Sequence, residues 1–270
     1  MMSSALSDYK QTSTRVRRTV LGMIHAAKAS HIGSCFSCID LLTVLYNKIV
    51  NLDSELKEDR DRVIFSKGWA AAAAYAFLAE KKIIPQEDLA TYCQPGSPYI
   101  GLVERSVRGI EASTGSMGHG LPIGLGMALG AKRSGQKWKT FVLMSDGEMN
   151  CGTTWESALL AAHHQLDNLM VIVDCNSWQA IGRINEVLNL EPLTDKWRSF
   201  GWEVREVDGH DFEAIEKVLS DSPLTKPVVI IARTVKGKGV SFMEDKIIYH
   251  YKNPSDEEYS LALEELDKQK

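Results

Sequence analysis

The sequence predicts an α/β fold, a parallel sheet of about five strands with helices on both faces. Three observations predict it. The unbroken apolar runs Phe141 to Met144 and Leu169 to Val173 have the length and character of strands buried on both faces. Between them Trp155, Ala158, Leu159, Ala162 and Leu166 recur at helical spacing, which completes a strand, helix, strand crossover. Upstream, Arg62 to Phe65 runs through Ser66-Lys67-Gly68 into the Ala-rich stretch Trp69 to Glu80, the same strand-to-helix order.

In chain order, residues 10 to 30 read as a helix and Cys38 to Tyr46 as a second, ahead of the strand at Arg62 and the helix at Trp69. Tyr92 to Glu111, punctuated by Pro95, Gly96, Pro98, Gly101 and Gly109, is a long loop, and long loops inside compact domains commonly carry function. Gly118 to Lys132 is a Gly/Ala-rich helix whose small residues admit another backbone at close range. After the central crossover come a strand near Glu203 to Val207, a helix from Phe212 to Leu219 and a β-branched strand, Val228 to Ala232. The polar tail from Pro254 to Lys270 has helical character and is available to dock on a partner. No Pro/Ser-rich linker or internal repeat divides the chain, so residues 1–270 read as a single domain.

A net charge of −4 without a long basic run argues against nucleic acid as the main partner. The N-terminal stretch lacks the apolar centre of a signal peptide, and no apolar run reaches membrane-spanning length, so a soluble, cytoplasmic protein is expected. Five cysteines, an odd number, fit a reducing compartment better than a disulfide framework. Cys35 and Cys38 form a CxxC, but no second pair supplies further zinc ligands, and small buried side chains are the expected reading.

The central crossover also carries chemistry. Asp146 and Asn176 follow consecutive strands and should lie side by side at the carboxyl edge, where open α/β sheets bind ligands. A carboxylate and an amide oxygen are hard ligands, suited to magnesium that also takes phosphate oxygens. The helix opening near Gly152 offers backbone N–H groups to an anion. This edge therefore predicts a diphosphate held through a divalent metal.

The segment from Asp146-Gly147 to Asn176, 30 positions on, resembles the thiamine diphosphate (TPP) motif of the transketolase family. The resemblance continues in KASHIGSCFSCIDLL, RDRVIFSKGWA, IEASTGSMGHGLPIGLGMALGAK, VDGHD and RTVKGKGVSFME. It covers nearly the whole chain and is closest to the amino-terminal subunit of split transketolases. It implies the thiamine diphosphate-binding fold, with Asp146, Asn176 and the carbonyl of Trp178 as magnesium ligands and Gly147 open to the diphosphate. Gly115 and Met117 are implied to hold the aminopyrimidine through backbone groups, and His31 and His250 to lie over the diphosphate and thiazolium, ready to hydrogen-bond substrate or relay protons. Outside that set, Lys236 and Lys238 read as residues of a solvated loop, with phosphate contact as the alternative, His210 as a turn stabiliser, and His163 and His164 as packing or surface residues. Gly118, Gly120 and Gly124 have part of a dinucleotide fingerprint, but no convincing strand precedes them.

Four positions depart from the family. Trp69 and Leu102 stand where two histidines of the substrate funnel are usual, which removes polar partners for donor hydroxyls and adds apolar surface. Ser145 replaces the first Gly of GDG, and Cys151 stands where GDGxxxEG has a glutamate implied to join a carboxylate network between paired sites. The glutamate that activates TPP is implied to come from a pyrimidine-binding domain, expected here on a partner chain in an α2β2 assembly.

The resemblance implies a TPP- and magnesium-dependent transferase that passes a two-carbon unit to an aldehyde or ketone, with a sugar as the expected acceptor. Ketose donation of a hydroxyacetyl unit and pyruvate-derived acetyl transfer both stay open. The alternatives are a 2-oxo acid dehydrogenase decarboxylating component and a non-catalytic regulatory or assembly subunit.

Overall fold

The computed structural model describes residues 2–53, 55–221 and 225–268. Five parallel strands form its sheet: β1 (Arg62–Phe65), β2 (Thr140–Ser145), β3 (Leu169–Cys175), β4 (Glu203–Asp208) and β5 (Val228–Arg233). Their order is β1-β2-β3-β5-β4, so β5 lies between β3 and the edge strand β4. In register, Ser145 pairs with Asp174 and Cys175 with Arg233, which brings the ends of β2, β3 and β5 together.

Alternation along the strands divides the core. Phe141, Leu143, Met170, Ile172, Val228 and Ile230 face one layer; Val142, Met144, Val171, Val173, Val229 and Ile231 face the other. The first layer holds α1 (Met2–Ala27), α2 (Ile32–Ser37), α3 (Ile39–Val44), α4 (Ala71–Glu80), α9 (Phe212–Ser220) and α10 (Asp256–Asp267). The second holds α5 (Gly120–Arg133), α6 (Gly152–His163) and α8 (Leu193–Ser199), and the short α7 (Ile184–Val187) precedes α8. Among the described residues no helix is long and apolar enough to cross a membrane.

The structure revises two sequence expectations. The helix expected from Cys38 to Tyr46 is present as α3 continued by a π-helical turn, Leu45–Ile49, but it is preceded by α2, which meets it at Cys38 and falls in a stretch with no expected element. The polar tail docks on its own chain. Ser255 and Glu258 form a capping box, Ala262 and Leu266 are buried, and Tyr259 stacks on His25 with ring centroids 4.2 Å apart.

A buried ion pair ties α1 to α3 and to the loop after β5. The Arg17 guanidinium bonds both oxygens of Asp40 at 2.9 and 2.8 Å and reaches the Lys238 carbonyl at 2.9 Å. His210 donates from Nδ1 to Asp40 at 2.8 Å, while its Nε2 accepts from the Val235 N–H at 2.8 Å. Burial would raise the Asp40 carboxyl, but Arg17 and His210 overcome it and hold it at about 2. His210 thus joins the β4 turn to the loop after β5, beyond the single turn expected of it.

Candidate cofactor site

The strand ends place the expected residues at one edge. Asp146, in the turn after β2, is 1% exposed. Its carboxylate accepts backbone N–H bonds from Gly147 at 2.9 Å and Ser177 at 2.7 Å, so it lies beside the segment that follows β3. Asn176 Oδ1 accepts from the Trp178 N–H at 3.1 Å. A 3-10 turn, Asp146–Asn150, intervenes between β2 and α6, so Gly147 rather than Gly152 lines the cavity at this edge.

That cavity has a volume of about 350 Å³. Gly147, Asn176 and Trp178 line it from the sheet edge, His31 and His250 from a second side, and Trp69, Leu102, Gly115 and Met117 from a third. Asp146 lines an adjoining cavity of about 360 Å³, with Cys175, Ser177 and Arg233. Gly115 has φ of 146°, and a Cβ there would meet the Leu102 side chain at 2.8 Å, so this crowded left-handed position requires glycine.

Burial, and next the carboxylate of Asp174, push the Asp146 carboxyl up to about 7. The site is short of positive charge next to a carboxylate. A hard dication answers that need, and the oxygen set of Asp146 and Asn176 fits one. Among the described residues no three His, Cys, Asp or Glu side chains cluster to hold a metal by themselves, so a cation here would also draw on backbone and ligand oxygens.

Two buried lysines supply the charge on the other side. Lys67 donates to the Ser34 carbonyl at 2.7 Å and to Ser37 Oγ at 3.0 Å, and pairs with Asp174, which Thr234 also bonds. Lys236, expected on a solvated loop, is 1% exposed. It donates to Ser34 Oγ at 3.1 Å and His250 Nδ1 at 3.0 Å, and burial followed by repulsion from Lys67 lowers it to about 8. Gly33 explains the burial. A Cβ at Gly33 would meet the Tyr249 carbonyl at 3.1 Å and Lys236 Cγ at 3.2 Å, so glycine favours the close packing of α2 on the VKGKG loop and on the segment of Tyr249.

His31 and His250 meet edge to face, with ring centroids 5.1 Å apart, and the His31 N–H donates to the His250 carbonyl at 2.8 Å. His31 holds a left-handed backbone, φ 75°. Burial first, then Lys236, lower His31 to about 4 and His250 to about 3, so both rings are neutral at pH 7.

The family model for "Transketolase, thiamine diphosphate binding domain" matches residues 9–264. The chain belongs to the transketolase family. It is 41% identical over 254 residues to a subunit of apulose-4-phosphate transketolase from Actinobacillus succinogenes, covering 93% of this chain and 92% of that protein. It is 35% identical over 274 residues to the 6-deoxy-6-sulfo-D-fructose transketolase subunit SqwG of Clostridium sp., covering 99% of each. Among solved structures, transketolase from Campylobacter jejuni superposes with a TM-score of 0.88 at 30% identity, covering 96% of this chain and 43% of that chain.

Within this transketolase-family site, Glu148 and Lys67 escaped the sequence reading. Glu148 is fully buried: Oε1 accepts from Ser66 Oγ and from the Gly118 N–H at 3.1 Å, and Oε2 from the Ser145 N–H at 2.9 Å. One carboxylate therefore joins the β1 edge, the loop before α5 and the β2 edge. The signal was present as Ser145-x-x-Glu148, a capping-box pattern. Lys67 lay in view immediately after a buried strand, but its partner Asp174 is 107 positions away.

Proposed function

We propose that this chain is the diphosphate-binding subunit of a TPP- and magnesium-dependent transketolase, whose second subunit brings the pyrimidine-binding domain and the activating glutamate. The observation that carries this reading is the convergence of His31, Gly115, Gly147, Asn176, Trp178 and His250 on one cavity beside the buried Asp146 carboxylate. At its edge, Asp146, Asn176 and the Trp178 carbonyl would hold magnesium, and Gly147 would leave room for the diphosphate. Gly115 and Met117 hold the aminopyrimidine through their backbone, and Lys236 offers an ammonium to phosphate oxygens. When bound, TPP supplies a nucleophilic carbon and an electron sink for breaking and forming carbon–carbon bonds.

The histidines handle protons around that centre. Because His250 Nδ1 accepts from Lys236, its proton sits on Nε2, where it can be donated to a substrate oxygen. Neutral His31 beside it can accept or donate. An α2β2 assembly and a reducing, cytoplasmic setting belong to the same proposal, and all five cysteines are free.

The names of the relatives support a sugar substrate, and the first reading takes that sugar as the two-carbon donor. Trp69 and Leu102 support a second reading, a less hydroxylated donor such as pyruvate, since an apolar wall makes each donor hydroxyl costly to bury. The test combines the chain with its second subunit, TPP and magnesium, offers either a ketose phosphate or pyruvate with an aldehyde acceptor, and identifies the transferred unit by mass spectrometry. Hydroxyacetyl transfer supports the first reading and acetyl transfer the second. No transfer from either donor sinks the proposed activity.

A further inference from the structure

Two loops that leave different strands close the outer edge of the cavity. One follows β3 and carries Asn176 and Trp178; the other follows β5 and carries the buried Lys236 and His250. Asp245 joins them. Its Oδ1 accepts from the Trp178 indole N–H at 2.7 Å and its Oδ2 from Arg183 Nη2 at 2.5 Å. The Arg183 guanidinium also lies over the Trp178 ring, 4.0 Å from its centroid. Trp178 and Arg183 pair across an antiparallel bridge, with the Gln179 N–H donating to the Gly182 carbonyl at 2.9 Å, so 178–183 is a tight hairpin. On the other loop, the Asp245 N–H donates to the Lys236 carbonyl at 2.8 Å.

We infer that Asp245 and Arg183 are positioning residues for the cofactor, clamping Trp178 against the loop that carries Lys236 and so setting how firmly the metal and diphosphate are retained. The inference rests on the function proposed above. A purely structural role fits the geometry poorly. The Arg183 and Asp245 side chains are 35% and 50% exposed, and ion pairs in such settings contribute little to the stability of a fold. What the clamp fixes is local: one carboxylate bonds an indole, a guanidinium and, through its own backbone, the Lys236 carbonyl.

The test uses the chain assembled with its second subunit. TPP binding is measured by calorimetry in the presence of magnesium, and its release by rapid dilution. Asp245→Asn, which accepts the left-handed backbone there (φ 59°) but loses the charge that holds Arg183, should weaken TPP binding about tenfold, mainly through faster release. At saturating TPP and magnesium its kcat should stay within about twofold of the unaltered protein. The melting midpoint without cofactor should not move. Trp178→Phe, which keeps a ring under Arg183 but removes the N–H donor, should give a smaller loss in the same direction. Unchanged TPP binding in Asp245→Asn overturns the inference. So does a fall in melting midpoint that tracks the fall in affinity, the mark of an ordinary structural contact. If the unaltered assembly does not bind TPP with magnesium, the proposed function itself fails and this inference falls with it.

Discussion

Replacing Lys236 with methionine should move stability and cofactor binding in opposite directions. The ammonium is 1% exposed and its hydrogen-bond partners, Ser34 and His250, are both neutral. Its pKa drops from 10.5 to about 8, through burial and then Lys67. At about 1.4 kcal/mol per pKa unit, keeping it charged costs the folded protein about 3 kcal/mol at neutral pH. Because the folded value lies below the unfolded one, the penalty is fully present below pH 8 and fades as pH rises toward 10.5. Methionine removes the charge at similar volume and leaves His250 Nδ1 and Ser34 without a donor, a loss of about 1 kcal/mol. The net gain, about 2 kcal/mol, should raise the melting midpoint of the cofactor-free protein by about 4–8 °C. TPP binding should weaken about 10- to 100-fold, the worth of one charge-assisted bond to phosphate. Calorimetric melting of the cofactor-free protein and titration with TPP and magnesium read the two effects. A lower melting midpoint together with unchanged TPP affinity would refute the reasoning, because Lys236 would then be a structural cation.

Asp146→Asn should abolish magnesium-dependent TPP binding in calorimetry. It should also flatten the pH dependence of melting without metal: the folded carboxyl lies near 7, above its ordinary value, so the unaltered protein loses stability as pH rises from about 4 to about 7. Arg17→Met strips the buried Asp40 of its main counter-charge and should cost about 3 kcal/mol in denaturant unfolding, whereas Arg198→Met, at an exposed pair, should change stability by less than about 1 kcal/mol. Trp69→His combined with Leu102→His should shift the ratio of kcat/KM values toward a hydroxylated donor by about 10- to 100-fold, and an unchanged ratio would remove these residues from donor selection.

The central strands β2, β3 and β5 were legible in the sequence because they are short apolar runs that stop abruptly at polar residues, whereas the half-buried edge strand β4 shows only alternation, Glu-Val-Arg-Glu-Val-Asp. Asp146 and Asn176 were legible for the same reason, since each stands just past such a stop. Lys236 was not, because a Gly-rich loop reads as solvated and its burial depends on Gly33 and Ser34, which lie about 200 positions earlier. α2 was hidden because its six residues, Ile-Gly-Ser-Cys-Phe-Ser, are mostly weak helix formers and all of them are buried. The docking of α10 depends on a stripe of Tyr259, Ala262, Leu263 and Leu266 set among charged residues, and the surface it meets belongs to the distant α1.

The left-handed backbone at His31 bears on how that position can be explored. Side chains with branched Cβ atoms resist a φ of 75°, while glycine and asparagine accept it. A randomised library at residue 31 would therefore rank variants by backbone tolerance as much as by proton chemistry. Asparagine is the informative control: it keeps the turn and a hydrogen-bonding group but cannot titrate, so the gap between His31 and His31→Asn measures what the imidazole itself contributes.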